Sequence, residues 1–285
     1  MACLAGLYAV REVPPPAKPH WTVQSIIDRS NIQFSRSRFY KPTSKDSELQ
    51  SVFSPLIVEQ FRESRVHQVQ KIRSASSIQN PQVDETNFEL LGHPTVYHYL
   101  STVESGEVTF DAQGFVWLYV DYPECLPQLK PRVLVRGVRI VLGSDGLPSL
   151  WEALSDEYSP RVFFVSQSLE EAARAQYGDP LPGRNFSIER GLIETANVVV
   201  AKILDDGPVP MGPYVYEDAS SRRSITTVHC RCSPSQFDEV VETVCYQLEP
   251  LESLDKKWLR EHGGVDLDKL LNPEPLDKLF RWPKL

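Results

Sequence analysis

The sequence lacks the short motifs by which many nucleotide-binding and hydrolytic enzymes are recognised. It contains no P-loop, no GxGxxG, no HExxH, no GxSxG and no protein-kinase signature. No motif therefore assigns a catalytic role or a resemblance to a known family, and no cofactor is expected. The absence leaves open whether the protein is an enzyme.

Cysteine is scarce, with five residues in a chain of 285. The number is odd, and a chain of this length does not need a disulfide framework to build a core. No window approaches the roughly 18 apolar residues of a membrane-spanning helix. The short apolar run at the N-terminus has no basic residue before it, unlike a signal peptide. These absences predict a cytoplasmic protein with no membrane contact.

The net charge of −8 argues against a protein that coats nucleic acid with its whole surface. The charge is unevenly distributed, because residues 21–80 carry nine basic and five acidic side chains. Residues 81–285 carry a net charge of −13. A basic segment followed by an acidic body is typical of a docking arm.

Proline-rich stretches and the charge pattern divide the chain into four parts. Residues 1–20 form an N-terminal segment with a proline-rich linker, 21–80 a basic helical arm, 81–250 the body and 251–285 a C-terminal tail. Helical spacing of apolar residues predicts helices over 21–32 and 47–72 in the arm. In the body we expect helices over 148–158, 169–177 and 234–248, and strands over 94–103, 108–111, 115–120, 132–142, 161–166, 196–204, 214–217 and 225–232.

This order of elements predicts the α+β class. The body begins as a β-meander and then mixes strands and helices without strict βαβ alternation. We therefore expect a mixed, largely antiparallel sheet with helices packed on it. A helical arm would precede the sheet, and an irregular tail would follow it.

The densest group of chemically versatile side chains is His229, Cys230, Cys232 and Cys245. A zinc site needs about four ligands, usually with paired C-x₂₋₄-C spacing, and the C-x-C here does not provide them. On the predicted strand His229 points away from both cysteines, and on the predicted helix Cys245 lies within the apolar stripe. The three cysteines are therefore expected to be small core residues, and no metal site is predicted. A redox role stays open as the alternative and would need an exposed thiol of low pKa.

Two carboxylates, Asp205 and Asp206, follow an apolar strand and end it in Asp-Asp-Gly. Together with Glu217 they could hold Mg²⁺ for hydrolysis of phosphate esters. Arg222 and Arg223 would then neutralise the phosphate. Because Asp-Asp-Gly is also an ordinary turn sequence, these three are weak catalytic candidates.

Two appended segments offer candidate contacts for a partner. The tail carries apolar residues among prolines and charges, and it must pack on the body or enter a groove of a partner. The arm carries arginine and lysine side chains that could hold an acidic protein or phosphates. The predicted partner-binding residues are Arg36, Arg38, Arg62, Arg65, Lys71, Arg73, Leu279, Phe280 and Trp282.

The leading functional hypothesis is a non-enzymatic interaction or assembly component that contacts a protein partner through the basic arm and the apolar tail. The first alternative is a metal-dependent hydrolase or nuclease that acts on phosphate esters. The second is a nucleic-acid-binding protein that uses the arm at residues 21–80, with an affinity that falls steeply as salt rises.

Overall fold

The computed structural model describes residues 22–43, 52–61, 94–121, 132–155, 160–191, 198–207, 209–218, 224–231 and 236–284. Most of these residues belong to strands. The strands are β1 Phe34–Pro42, β2 Leu56–Gln60, β3 Thr95–Ser105, β4 Val108–Asp121, β5 Arg132–Leu142, β6 Pro148–Ser155, β7 Arg161–Ser166, β8 Val198–Leu204, β9 Tyr214–Glu217, β10 Ile225–His229 and β11 Phe237–Pro250.

The helices are short. The two longest are α1 Val23–Ser30 and α2 Gln167–Tyr177. The C-terminal residues form a 3₁₀ turn at Leu251–Ser253, α3 Lys256–Trp258, a π-helical turn at Leu259–Gly263, α4 Leu267–Leu271 and α5 Leu276–Leu279. No helix in the described ranges has the length and apolar character needed to cross a bilayer.

The eleven strands form one sheet in the order β10-β9-β2-β1-β11-β3-β4-β5-β6-β7-β8. The stretch from β3 to β7 is an antiparallel meander. The pairs β1/β11, β11/β3, β2/β9 and β7/β8 are parallel. The sheet curls until its two end strands approach each other, and Lys202 Nζ of β8 lies 3.3 Å from His229 Nε2 of β10. The result is a nearly closed, barrel-like sheet.

Helix α1 covers the junction between the two end strands. It begins where the Thr22 side chain accepts a hydrogen bond from Ser25 N, which caps the first turn. Its Ile26 joins the interior core, and the Ser30 hydroxyl donates to Ala201 O of β8 at 3.3 Å. Arg29 forms an ion pair with Asp218, directly after β9. The helix therefore fastens the two sides of the junction.

The interior of the curled sheet is the main core. Along β5, Leu134, Val138 and Ile140 point inward, because alternate residues of a strand share one face. They meet Phe115, Trp117 and Tyr119 from β4, Tyr40 from β1 and Tyr246 from β11. The interior is therefore filled with side chains from almost every strand.

The outer face of the sheet is covered by two further apolar clusters. The turns from Leu251 to Leu271 pack on Tyr97, Val116 and Leu118. Helices α2 and α5 and the last residues of the tail pack on Phe163 and Val165. The tail therefore belongs to the body rather than standing apart from it.

The predicted α+β class is wrong, because the described residues form a mostly β fold with a single curled sheet. Residues 148–155 form β6 instead of a helix, and residues 237–250 form β11 instead of a helix. Both segments carry apolar residues at helical spacing, but each one pairs with strands on two sides. Pairing with neighbouring strands outweighs a weak local helical preference.

The basic helical arm is also wrong. Helix α1 is present, but Phe34–Pro42 and Leu56–Gln60 are strands in the middle of the sheet. The β-branched pair Ile57 and Val58 follows Pro55, and such residues fit a pleated, buried strand better than a helix. Residues 44–51 and 62–80, which complete the predicted arm, lie outside the described residues.

Several single elements were predicted correctly. Strands β5, β7 and β9 have the expected bounds, and α2 lies within two residues of its expected start. The two strands expected over 108–111 and 115–120 are instead one continuous strand, β4. Gly114 is required there, because the ring of Tyr99 passes over it and a Cβ atom would lie 2.0 Å from that ring.

Replacing Phe280 with alanine should destabilise the folded chain by about 3–5 kcal/mol, since a buried aromatic ring is lost. Phe280 is 1% exposed, and its ring packs edge-to-face on Phe163 with centroids 4.9 Å apart. Chemical denaturation would measure the change. Val209→Ala, at a half-exposed position, is the control and should change stability by less than about 0.5 kcal/mol. Equal effects of the two substitutions would contradict this packing of the tail.

Candidate functional site

The most unusual polar group in the interior is Glu217, at the end of β9. Its carboxylate is fully buried inside the curled sheet. Trp117 Nε1 donates to Glu217 Oε1 at 3.1 Å, and the Tyr119 hydroxyl donates to Oε2. Trp117 and Tyr119 lie on β4, which is five strands away from β9 in the sheet. Glu217 therefore links two opposite sides of the interior.

Burial raises the pKa of Glu217 to about 7. The hydrogen bonds from Tyr119 and Trp117 and the charge of Arg136 act in the opposite direction and lower this pKa. Burial and the Glu217 carboxylate together raise the pKa of Tyr119 well above its ordinary value. Tyr119 therefore stays neutral and donates a hydrogen bond to the carboxyl group of Glu217, whose pKa is near 7.

A second buried ionic group lies on β1 and β2. Arg38 Nη1 is 3.3 Å from Glu59 Oε2, and Arg38 Nε donates to Glu242 Oε2 on β11 at 2.6 Å. The Tyr40 hydroxyl donates to Glu59 Oε2 at 3.2 Å. Arg38 and Glu59 are almost completely buried. This charged group therefore fastens three neighbouring strands together.

The predicted catalytic carboxylates are not brought together. Asp206 accepts hydrogen bonds from Ser168 N and Ser168 Oγ, both at 3.0 Å, in the first turn of α2. Asp205 and Asp206 follow β8 at the end of the sheet where His229 pairs with Tyr214. Glu217 lies at the far end of β9 and points inward. Within the described ranges, no three His, Cys, Asp or Glu side chains form a group that could hold a metal ion.

The cysteine group also differs from the prediction. Cys230 is buried but engaged in a disulfide, and Cys245 is an exposed free thiol on β11. The expected core position of Cys245 is therefore wrong, because residues 237–250 form a strand. Cys232 lies outside the described residues. His229 is buried against Tyr216, and burial together with the charge of Lys202 lowers its pKa to about 4.

The predicted partner-binding residues occupy different environments. Leu279, Phe280 and Trp282 are buried in the core of the chain itself. Arg36 is partly exposed and lies 3.3 Å from Glu239 of β11, whereas Arg38 is buried. The other four predicted partner-binding residues lie outside the described residues: Arg62, Arg65, Lys71 and Arg73. Arg222 and Arg223, which were expected to neutralise a phosphate, also lie outside them.

We call residues 237–246 of β11 the open edge, because on the side of β3 no described strand pairs with them. Residues 237–246 pair with β1 on one side, whereas β3 begins only opposite Gln247. No other described strand lies beside residues 237–246. Gln247 N donates to Pro94 O, and Tyr246 O accepts from Thr43 N on the opposite side. Because successive residues direct their backbone groups to opposite sides, Thr243 and Cys245 direct theirs towards the open side.

The side chains along this open edge are exposed, and three of them are acidic. Asp238, Glu239, Val240, Glu242, Thr243 and Cys245 are all exposed. A bulge between Val240 and Glu242 interrupts the register with β1. Charged side chains and bulges limit uncontrolled pairing at sheet edges. The regular part of the open edge is therefore Glu242–Tyr246, directly in line with the start of β3.

A cavity of about 520 Å³ lies outside the sheet, between the ends of β6 and β7 and the tail. Its floor includes Glu152, which is 5% exposed. Arg139 Nη1 donates to Glu152 Oε2 at 2.6 Å, and Arg161 Nε donates to Oε1 at 2.7 Å. Both carboxylate oxygens are therefore occupied by arginine.

Sequence reasoning did not identify Trp117, Tyr119, Arg139, Glu152 or Arg161 as site residues. All five lie within strands, and the apolar residues around them indicate a strand without indicating a site. The charged residues in the runs RVLVRGVRIVL and SLWEAL are the available signal, because charges inside such runs need buried partners. The partners themselves come from other strands and could not be read from the runs.

Comparison with known proteins gives no relative for this chain, since no family model, no curated protein and no solved structure matches it.

Replacing Glu217 with glutamine should change how stability depends on pH. The pKa of Glu217 is higher in the folded chain than in the unfolded chain, so the folded state retains a proton between about pH 4.5 and pH 7. The stability contributed by this proton is complete below pH 4.5 and is lost as pH rises through 7. The wild type should therefore lose stability between pH 5 and pH 8 that Glu217→Gln keeps. The free energy of unfolding of Glu217→Gln, relative to that of the wild type, should rise by up to about 3 kcal/mol over this range.

Urea denaturation of both proteins at pH 5, 6, 7 and 8 would measure this difference. Titration of His229 contributes equally to the pH dependence of stability in both proteins, so its effect cancels in the comparison. A wild-type to variant difference that stays constant over this range would show that Glu217 does not titrate there.

Proposed function

We propose that the protein is a non-enzymatic interaction component, and that the open edge of β11 receives an extended, basic segment of a protein partner. The observation that carries this proposal is the outward direction of the backbone groups of Thr243 and Cys245. An extended segment that adds to a sheet edge gains main-chain hydrogen bonds from such groups. Alternate side chains of the same strand then supply specificity.

The charge of the edge supports a basic occupant. Asp238, Glu239 and Glu242 are exposed, and Glu59 is buried beside them. Against these four carboxylates β1 carries three cations, since Lys41 lies opposite Cys245 in addition to Arg36 and Arg38, so the carboxylates still outnumber the cations. Opposite charges on neighbouring strands attract, whereas like charges repel. The same negative charge disfavours pairing between the edges of two copies of this chain.

This proposal retains the hypothesis of a non-enzymatic interaction component and changes the contact surface. The buried side chains of the tail contribute to the core, and Arg36 and Arg38 form ion pairs within the sheet. Partner contacts by Arg62, Arg65, Lys71 and Arg73 stay a prediction, as does nucleic-acid binding by residues 21–80. No observation favours the hydrolase alternative, since Asp205 and Asp206 lie apart from Glu217.

Replacing Thr243 with proline should abolish addition of a strand at this edge. Proline removes the backbone donor that faces the open side, and edge strands tolerate proline better than central strands do. A labelled peptide of alternating lysine and valine should bind the wild-type chain, and its affinity should fall at least tenfold for Thr243→Pro. Fluorescence anisotropy at low salt would measure the affinity of the peptide for the wild type and for Thr243→Pro.

Two controls separate backbone pairing from other effects. Val244→Pro removes a donor that faces β1 and should unfold the sheet, whereas Thr243→Pro should keep the wild-type circular dichroism spectrum. A peptide of alternating glutamate and valine should bind much more weakly than the basic peptide. Unchanged binding to Thr243→Pro would contradict the proposal, as would a dimer of the chain that this variant disrupts.

A further inference from the structure

The cavity between β6, β7 and the tail has the volume of a site for a small molecule. Sites for small ligands typically enclose about 300–1,000 Å³. The cavity of about 520 Å³ falls in this range. One part of its wall is apolar and the other is charged. The apolar part comprises Ala153, Leu154, Pro160, Val265 and Leu270.

The carboxylate at the floor is not available to a ligand. Both oxygens of Glu152 accept hydrogen bonds from buried or half-buried arginine side chains. Arg139 is 2% exposed, and its Nη2 also donates to Leu271 O of the tail at 2.6 Å. The group therefore holds the tail against the sheet and fixes the position of Arg161.

Two cations line the cavity, Arg161 and Lys269, and each has side-chain donors with no hydrogen-bond partner among the described residues. Arg161 uses Nε for Glu152, and its Nη1 is 3.7 Å from Glu274, which is beyond a normal hydrogen bond. Lys269 also lines the cavity and forms no ion pair with another described residue. Two acidic residues also line the wall and share their nearest arginines: Asp266 lies 3.8 Å from Arg260, which is 3.6 Å from Asp268, and Glu274 lies 3.7 Å from Arg161.

We infer that this cavity binds a small organic anion, with the anionic group at Arg161 and Lys269 and an apolar portion against Leu154 and Val265. Carboxylate and phosphate groups share the ability to accept charge-assisted hydrogen bonds from guanidinium and ammonium groups. The apolar wall favours an organic anion over an inorganic one. The inference goes beyond the proposed interaction at β11, and the two surfaces share no residue.

Titration calorimetry with benzoate, phenyl phosphate and benzyl alcohol would test the inference. The three probes share a ring, and only the first two carry an anion. One or both anions should bind with a dissociation constant below about 10 mM, and benzyl alcohol at least tenfold more weakly. Comparing the dissociation constants of benzoate and phenyl phosphate shows whether the cavity prefers a carboxylate or a phosphate group.

Substitution of Lys269 supplies the decisive control. Lys269→Gln should weaken binding of the anion at least tenfold and leave the fold intact, because Lys269 is exposed. Lys257→Gln makes the same change of charge at a side chain that is 84% exposed and outside the cavity, and it should have no effect. Arg161 is not used for the test, since its loss would disturb Glu152.

Three results would overturn the inference: no binding of either anion, equal binding of benzyl alcohol, or equal effects of the two lysine substitutions. Each of them leaves the edge of β11 untouched. The variant Thr243→Pro should bind the anion as the wild type does. A failure of anion binding is therefore distinct from a failure of strand addition.

Discussion

Closure of the sheet around one interior is the constraint on which the other features depend. Eleven strands bury a continuous inner face only if the two end strands come together. They meet at Lys202 and His229, and α1 covers their junction with Ile26, Arg29 and Ser30. A helix at this position satisfies polar groups that a neighbouring strand would otherwise pair with. The short N-terminal helix is thus part of the closure.

Closure also explains why charged groups lie inside. The interior places Glu217 against Trp117 and Tyr119 from the opposite side of the sheet. A buried carboxyl group is costly when ionised, so its pKa rises and its hydrogen-bond donors become essential. The carboxyl group of Glu217 links distant strands, and both of its oxygens already accept hydrogen bonds from interior donors. We therefore place the candidate binding functions on the outside.

The two proposed surfaces have a common origin in how the outer face is covered. The tail covers the outer face of the central strands, and its contact with β6 and β7 leaves a cavity above the group formed by Arg139, Glu152 and Arg161. The described tail residues pack on strands from β3 to β8, whereas the open edge of β11 lies where β3 has not yet begun. One surface is therefore a pocket beneath the tail, and the other is an edge that the described residues leave unpaired.

The sequence by itself determined the elements that are short runs of β-branched and aromatic residues. Arg132–Leu142 and Arg161–Ser166 are strands because such runs, rich in valine, isoleucine and phenylalanine, fit a buried strand better than a helix. Phe237–Pro250 and Pro148–Ser155 have apolar residues that fit either period, and only pairing with neighbours decided that they are strands. The candidate sites depended on tertiary structure still more strongly. Glu217, Glu152 and the open edge of β11 acquire their chemistry from residues that are distant in the chain, and a charge inside an apolar run does not reveal its partner. Local periodicity fixes how a segment can fold, whereas closure of the sheet decides which side chains meet.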